Sequence, residues 1–409
     1  NESIQMKYFV KTYGCQMNFA DSRRIEELMH QQGYQPAGDY HQADLVIVNT
    51  CSVRKHAENR AVGWIKSVSG HCKKVMVIGC LARHKPELLK EAGADIVSYQ
   101  FKLDEMEIEN LDNSGLAELA SPVVAEVPIV RGCERFCSYC IVPYLRGPVR
   151  SRSPLQVKDD IESLVARGTR LIQLLGQNVL SYNYNHCRLV ELIREIEKIE
   201  KLYLISFLTS HPADLQPDLI ELMASSPKML KYLHLPFQSG SDRLLKLMNR
   251  GYRRRQYLDK IKMIRSIIPD IKLTTDVMVG LPGETDQDYH QTLDLMLEVR
   301  FDEAYMFAYS PREGTLDNLQ ENQLNSVQKQ KRLQKLIDIQ RKITLNKLDS
   351  RVGSEVKLLV VKPAKIKPHW YSLSTDYTPV LINGDFHPGQ VVGATVTELR
   401  GGSLIGQAV

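Results

Sequence analysis

Long apolar runs are missing from this 409-residue chain. None approaches the roughly 20 residues that a membrane-spanning helix needs, so no membrane association is expected. No charged-then-apolar leader opens the sequence, and the cytoplasm is the expected compartment. A strong charge of one sign is lacking too, with a formal net charge of +5. That mildly basic balance is compatible with a nucleic-acid partner without demanding one. Disulfides are not expected in a long chain with no secretion signal. The eight cysteines therefore need another explanation, and for the clustered ones metal binding or catalysis is the better one.

What is present begins with alternation of strand and helix. Tyr8-Phe9-Val10 is an apolar run ending at Tyr13-Gly14-Cys15. A helix with an apolar face is predicted from about Asp21 to Gln32, stopping at Gly33. Leu45–Val48 reads as a short buried strand ending at Asn49-Thr50-Cys51, and a further helix reaches about Val68. Val75–Ile78 is a third strand, ending at Gly79-Cys80. This βαβαβ pattern predicts a parallel sheet covered on both faces. Ligand sites in such sheets form outside the carboxyl ends of the strands. Cys15, Cys51 and Cys80 each sit just past such an end, so three thiols distant in sequence can converge; the alternative is three unrelated buried cysteines.

An acidic, irregular stretch from Phe101 to about Val127 reads as a linker, with a turn at Asn113-Ser114-Gly115. A longer βα alternation follows, with strands predicted at Pro128–Arg131, Arg170–Leu175, Tyr203–Leu208, Tyr232–Leu235, Lys272–Val279 and Glu303–Ala308. Helical patterns separate them, among them Gln156–Ala166, Leu189–Glu197 and Asp288–Val299. Six such units make a partial (β/α)6 barrel, whose chemistry belongs at the carboxyl ends of its strands. A long helix is predicted from about Gln323 to Asp349. β-rich runs then follow at Val356–Val361, Val380–Ile382 and Val391–Thr397, with turns at Asn383-Gly384 and Gly401-Gly402. These suggest a small antiparallel barrel of the OB type, a frequent nucleic-acid binder, or else a capping domain with no ligand. The fold class expected is thus α/β and multidomain, with an N-terminal parallel-sheet domain and linker over 1–120, the partial barrel over 121–346 and an all-β barrel over 347–409.

Cys133-x-x-x-Cys137-x-x-Cys140 follows the first barrel strand. A cubane iron–sulfur cluster takes four thiolates. This loop offers three, which would leave one iron open to another ligand. Phe136 and Tyr139 could shield such a cluster. A zinc site or an electron-transfer cluster are the alternatives, although zinc sites usually pair two C-x-x-C elements. Between Arg131 and Arg152 lie five arginines and one acid, Glu134, while Arg253-Arg254-Arg255 is better read as a solvated face.

The cysteine loop resembles the signature of the radical-SAM superfamily. That resemblance implies that S-adenosylmethionine (SAM) chelates the open iron of a 4Fe-4S cluster and is cleaved by one electron to methionine and a 5′-deoxyadenosyl radical. Further motifs are similar to those of the methylthiotransferase family within that superfamily: Tyr13-Gly14-Cys15-Gln16-Met17-Asn18, Asn49-Thr50-Cys51-Ser52-Val53-Arg54, Gly79-Cys80, Cys137-Ser138-Tyr139-Cys140-Ile141-Val142-Pro143-Tyr144, Leu175-Gly176-Gln177-Asn178-Val179, Thr209-Ser210-His211-Pro212, His234–Ser241 and Gly280–Thr285. The tail is similar to a TRAM domain, although Lys365–Tyr377 departs from its pattern.

The family resemblance implies that Cys15, Cys51 and Cys80 hold a second, auxiliary 4Fe-4S cluster where sulfur is supplied. One SAM would methylate that sulfur, and a second would yield the radical. The Gln16-Met17-Asn18 variant is similar to members that act on carbon 2 of isopentenyl-adenosine beside the anticodon of tRNA. An aromatic C–H bond offers no proton worth removing near neutral pH, which fits the lack of an obvious Ser/His/Asp set. The base would have to be splayed from its loop. Arg146, Arg150 and Arg152 are candidate phosphate contacts. Tyr139, Gln177, Asn178, Gln238, Asp276 and Gly280 are candidate SAM contacts, each with a structural hydrogen bond as the plainer reading. His211 reads as a loop-fixing residue, and Cys72 and Cys187 as bystanders. A reducing system and a tRNA anticodon stem-loop are the expected partners of a monomer. The alternatives are a threonylcarbamoyl-adenosine tRNA or a ribosomal protein as substrate, or a non-enzymatic electron carrier or RNA-binding sensor.

Overall fold

The computed structural model of the chain describes residues 6–53, 55–103, 106–107, 123–315 and 324–409. The first sheet comprises β1 (Lys7–Thr12), β2 (Gln35–Pro36), β3 (Leu45–Thr50), β4 (Val75–Gly79) and β5 (Ile96–Val97), ordered β2-β1-β3-β4-β5. All its pairs are parallel. Alternate residues of a strand face opposite sides. Val46 and Val48 pack with Ala61, Ile65 and Val68, whereas Leu45 and Ile47 pack with Ile25 and Met29. The helices supplying those residues are α1 (Gln16–Gln31) and α2 (Lys55–Val68), and a short helix, α3 (Cys80–His84), follows β4 directly. α1 begins five residues before the Asp21 predicted from sequence. Its N-cap is Cys15, in an extended conformation with no side-chain cap bond, so none of the usual capping residues marks the start. The strand order reverses between β1 and β3, which makes the carboxyl edge there the natural crevice.

Six parallel strands follow: β6 (Val124–Pro128), β7 (Leu171–Leu175), β8 (Leu204–Phe207), β9 (Tyr232–His234), β10 (Lys272–Val279) and β11 (Glu303–Ala308). They form two three-stranded sheets, β8-β7-β6 and β9-β10-β11, which the bridge between Ile205 and Met229 connects into one arc in chain order. Ile129, Leu174, Phe207, Leu235, Phe237, Val277 and Phe301 belong to the single core inside it. The first strand lies upstream of its predicted span. It starts at Val124, inside the predicted linker, and Val130–Arg131 instead pairs antiparallel with Arg150–Ser151. The Ile129 N–H makes the last bond to the neighbouring strand, donating to Leu175 O at 2.9 Å. Most of the acidic linker, including Asn113-Ser114-Gly115, lies outside the described residues.

A long helix, α5 in the order used below, spans Ser326–Asp349 and is capped by Asn325, whose Oδ1 accepts from the Gln328 N–H at 2.8 Å. Between these parts a one-turn helix, α4 (Val142–Arg146), follows the cysteine loop. The tail forms a closed barrel of β12 (Glu355–Pro363), β13 (His369–Ser374), β14 (Pro379–Asn383), β15 (Val391–Arg400) and β16 (Ser403–Ala408). β13 lies within the stretch that departs from the family pattern, and β16 was not predicted. Leu359, Val361 and Leu373 of this barrel share one cluster with Val123, Leu171, Leu204 and Tyr232. Those partners stand at the starts of arc strands. The tail therefore closes the amino end of the arc and leaves its carboxyl end, with the cysteine loop, uncovered by the tail.

Leu359 is fully buried in that seam. Leu359→Ala is expected to destabilise the chain by about 2–5 kcal/mol, seen as a lowered urea midpoint. An unchanged midpoint would mean that the seam contributes little to stability.

Candidate active site

The cysteine loop is built to hold its shape. The Cys133 N–H donates to Gly147 O at 3.1 Å, closing its two ends, and the Cys140 N–H donates to Cys137 O at 2.9 Å. The Ser138 N–H donates to Met248 O at 3.1 Å and anchors the middle to the arc. Gly132 has φ +79, and a Cβ there would stand 1.9 Å from Pro148 O, so only glycine fits. All eight cysteines are free thiols. Burial pushes the Cys140 thiol up to about 12, helped by the charges of Cys137 and Cys133.

Among the described residues no three Cys, His, Asp or Glu side chains close round a single ion. The buried Arg250 stands beside the loop, with Nη1 at 3.4 Å from both Cys137 Sγ and Tyr139 Oη and Nη2 donating to Pro236 O at 2.8 Å. Sequence reasoning missed Arg250, because it lies between a helix end and the Arg253–Arg255 run with no motif around it. Tyr139 turns inward to Leu244, Met248, Leu281 and Tyr309. Phe136 does not shield the loop as expected: it is exposed and meets Tyr144 edge-on at 5.9 Å.

The second trio sits at the carboxyl ends of β1, β3 and β4. Two glycines permit the close approach. A Cβ on Gly14 would lie 2.8 Å from the Cβ of Cys51, and one on Gly79 would lie 2.5 Å from Thr50 O. Cys51 and Cys80 are buried and Cys15 is exposed. Asn18, the last residue of the Gln-Met-Asn motif, holds the strand ends in register. Its Nδ2 donates to Asn49 Oδ1 and Thr50 O, both at 2.9 Å, and its Oδ1 accepts from Cys15 Sγ at 3.2 Å. The two trios adjoin, because Cys80 packs against Ile141, which follows Cys140 and caps α4, and against Leu145 of α4. Arg83 Nη1 donates to Leu145 O at 2.6 Å, and Arg312 Nη2 donates to Val53 O at 3.1 Å across the same seam.

The remaining candidates divide. Gln177 Oε1 accepts from the Gly132 N–H at 2.7 Å, so it holds the loop. Gly280, at φ +78, donates its N–H to Glu284 Oε2 at 2.8 Å, and Lys329 fills the space where a Cβ would stand. Both contacts are the plainer structural ones. Asn178 Nδ2 donates to Asp214 Oδ2 at 2.6 Å, while its buried Oδ1 has no hydrogen-bond partner among the described residues. Gln238 bridges to β10 through its main chain, and Asp276 is part-exposed with Oδ2 at 3.6 Å from His234 Nε2. Of the three arginines expected at phosphates, only Arg150 is exposed. Arg152 points inward to Asp160 at 2.5 Å and to Pro128 O at 3.0 Å. Arg146 points into the seam, 3.6 Å from Asp21. Both are buried ion-pair partners rather than phosphate contacts: Arg146 ends α4, Arg152 follows the short strand Arg150–Ser151, and each turns to a carboxylate. Cys72 and Cys187 lie outside both groupings.

Residues 127–296 match the model of the radical SAM superfamily, and residues 7–98 match that of an uncharacterized protein family, UPF0004. The chain is 37% identical over 393 residues to the tRNA-2-methylthio-N(6)-dimethylallyladenosine synthase of Hydrogenobaculum sp., covering 88% of this chain and 89% of that protein. The enzyme of the same name from Syntrophobacter fumaroxidans is 39% identical over 431 residues, 96% of this chain and 94% of that one. Among solved structures, the radical S-adenosylmethionine methyltransferase TsrM from Kitasatospora setae, with cobalamin and a 4Fe-4S cluster bound, aligns with a TM-score of 0.56 at 13% identity. That alignment covers 77% of this chain and 74% of that one, and it shows a shared fold.

His211 fixes its loop by accepting from the Ala213 N–H at Nδ1, 3.2 Å away. Burial, then the charges of Arg250 and Arg135, hold its pKa down to about 2. The folded chain keeps this ring neutral, whereas the unfolded chain protonates it below about pH 6.5. Its contribution is complete above that pH and falls by up to about 1.4 kcal/mol per unit as the pH drops below it. His211→Gln should flatten this acid-side slope in urea titrations of the apoprotein at pH 7 and pH 5, and equal slopes in parent and variant would refute the assignment.

Proposed function

This chain belongs to the tRNA-2-methylthio-N(6)-dimethylallyladenosine synthase family of radical-SAM methylthiotransferases, and on that premise we propose that it adds a methylthio group to carbon 2 of isopentenyl- (dimethylallyl-) adenosine beside the anticodon of tRNA. Family membership sets aside the electron-carrier and sensor readings. SAM and 4Fe-4S clusters are its cofactors. The observation that carries the residue-level reading is the meeting of two cysteine trios across α4.

Cys133, Cys137 and Cys140 would hold the cluster that binds SAM, and Cys15, Cys51 and Cys80 the auxiliary one. Bound there, the clusters and SAM supply the one-electron cleavage, the sulfur and the methyl group. The protein's own part is placement. The loop's backbone bonds and Arg250 fix three thiols and leave one corner without a protein ligand. Tyr139 in the loop, Asn178 and Gln238 past strand ends and Asp276 on β10 are where SAM would lie, and Asn178 Oδ1, without a partner among the described residues, is ready to accept a donor. A splayed base would enter between the two sheet edges, with Arg150 outside on the phosphates. We assign 1–120 to the auxiliary-cluster domain and linker, 121–346 to the radical-SAM domain as a partial (β/α)6 barrel, and 347–409 to an OB-like TRAM domain. A cytoplasmic monomer fed by a cellular reductant completes the proposal; among the described residues no helix is long and apolar enough to cross a membrane.

Two measurements test this reading. Under anaerobic conditions with SAM and dithionite, Cys15→Ala should still make 5′-deoxyadenosine but lose the methylthio product by at least about a hundredfold, whereas Cys133→Ala should lose both. Wild-type methylthio product from Cys15→Ala would sink the division of labour. Arg150→Ala should lower the slope of log affinity for tRNA against log salt by about one. An unchanged slope would remove Arg150 from the RNA contacts.

A further inference from the structure

The side chain of Arg146 is 7% exposed and that of Asp21 is 9% exposed, and they face each other at 3.6 Å. Arg131 pairs with the other oxygen of the same carboxylate. Arg146 Nη2 also donates to Asn18 Oδ1 at 3.4 Å, the atom that accepts from Cys15 Sγ at 3.2 Å. Burial alone would pull the guanidinium down, but Cys80, then Asp21 and Cys15, outweigh it and hold it firmly charged. A cation so placed shares the Asn18 Oδ1 with the Cys15 thiol. It sits at the end of α4; the N-cap Ile141 and Leu145 of that helix pack on Cys80, the first residue of α3. A buried charge of this kind is strongly felt because little water screens it.

We infer that Arg146, oriented by Asp21, is a positioning residue that sets the reduction potential of the cluster held by Cys15, Cys51 and Cys80. This rests on the assignment of a cluster to that trio. Net charge and hydrogen bonds at the sulfurs are the protein's levers on such a potential. One-electron reduction adds a negative charge to the cluster. Arg146 favours that charge and Asp21 opposes it, so removing either changes the potential in opposite directions. Mere loosening of the seam would move both the same way.

The test uses the full chain carrying Cys133→Ala, Cys137→Ala and Cys140→Ala, so that one cluster remains, titrated with dithionite against mediator dyes and followed by EPR. Arg146→Gln should disfavour reduction at least tenfold, a fall of about 59 mV for a one-electron couple. Asp21→Asn should shift it upward, and Arg146→Lys should stay within half of the Arg146→Gln shift. Iron and sulfide analysis comes first: no cluster in the triple variant would overturn the assignment of the trio itself, and the inference with it. A cluster present, with no shift in Arg146→Gln or with Arg146→Gln and Asp21→Asn shifting the same way, would overturn the role of Arg146 alone. Should Arg146→Gln fail to retain its cluster, Asp21→Asn carries the test: an upward shift supports the role, and no shift or a fall overturns it.

Discussion

The seating of α4 on the first sheet is the contact on which the rest of the site depends. Two parallel-sheet edges can serve one reaction only if their spacing is fixed. Here a single turn of helix begins two residues after the loop's last cysteine, and its N-cap Ile141 and its Leu145 pack against Cys80. Its last residue, Arg146, is buried against Asp21 of α1. Buried ion pairs of this kind add little net stability, yet removing one partner is costly because the other is left uncompensated. The contact therefore specifies geometry more than it adds strength. Arg83 and Arg312 extend the same seam with hydrogen bonds to backbone carbonyls across it.

The arrangement also explains where the tail barrel goes. Parallel strands expose chemistry at one end and a closed floor at the other. The tail covers the floor, through Leu359, Val361 and Leu373 against the strand starts. Gln173 Nε2 donates to Tyr377 Oη at 2.9 Å and adds a polar tie there. The carboxyl edge is left to the first sheet and to whatever approaches between the two.

Most of the architecture was legible in the sequence because strand periodicity and glycine stops are local signals. Lys272–Val279 and Glu303–Ala308 lie where the apolar pattern predicts them. The start of α1 was not legible, because a cysteine caps it. β13 was hidden by a lysine-rich approach that reads as loop. At the site, the six clustered cysteines were visible as spacing and strand-end placement. The directions of Arg146 and Arg152 were not, since a charged residue after a loop looks the same whether it meets phosphate or a buried carboxylate. Arg250 was invisible for the same reason: its role comes from Cys137, more than a hundred residues upstream, and no local pattern encodes it.

The central claim is that two separate cysteine trios hold two clusters on facing edges. Iron and acid-labile sulfide, counted per chain after anaerobic reconstitution, test it most directly. The account predicts about eight irons in the parent chain, and about four both when Cys133, Cys137 and Cys140 are all alanine and when Cys15, Cys51 and Cys80 are. About four irons in the intact parent, or loss of all iron from either triple variant alone, would contradict it.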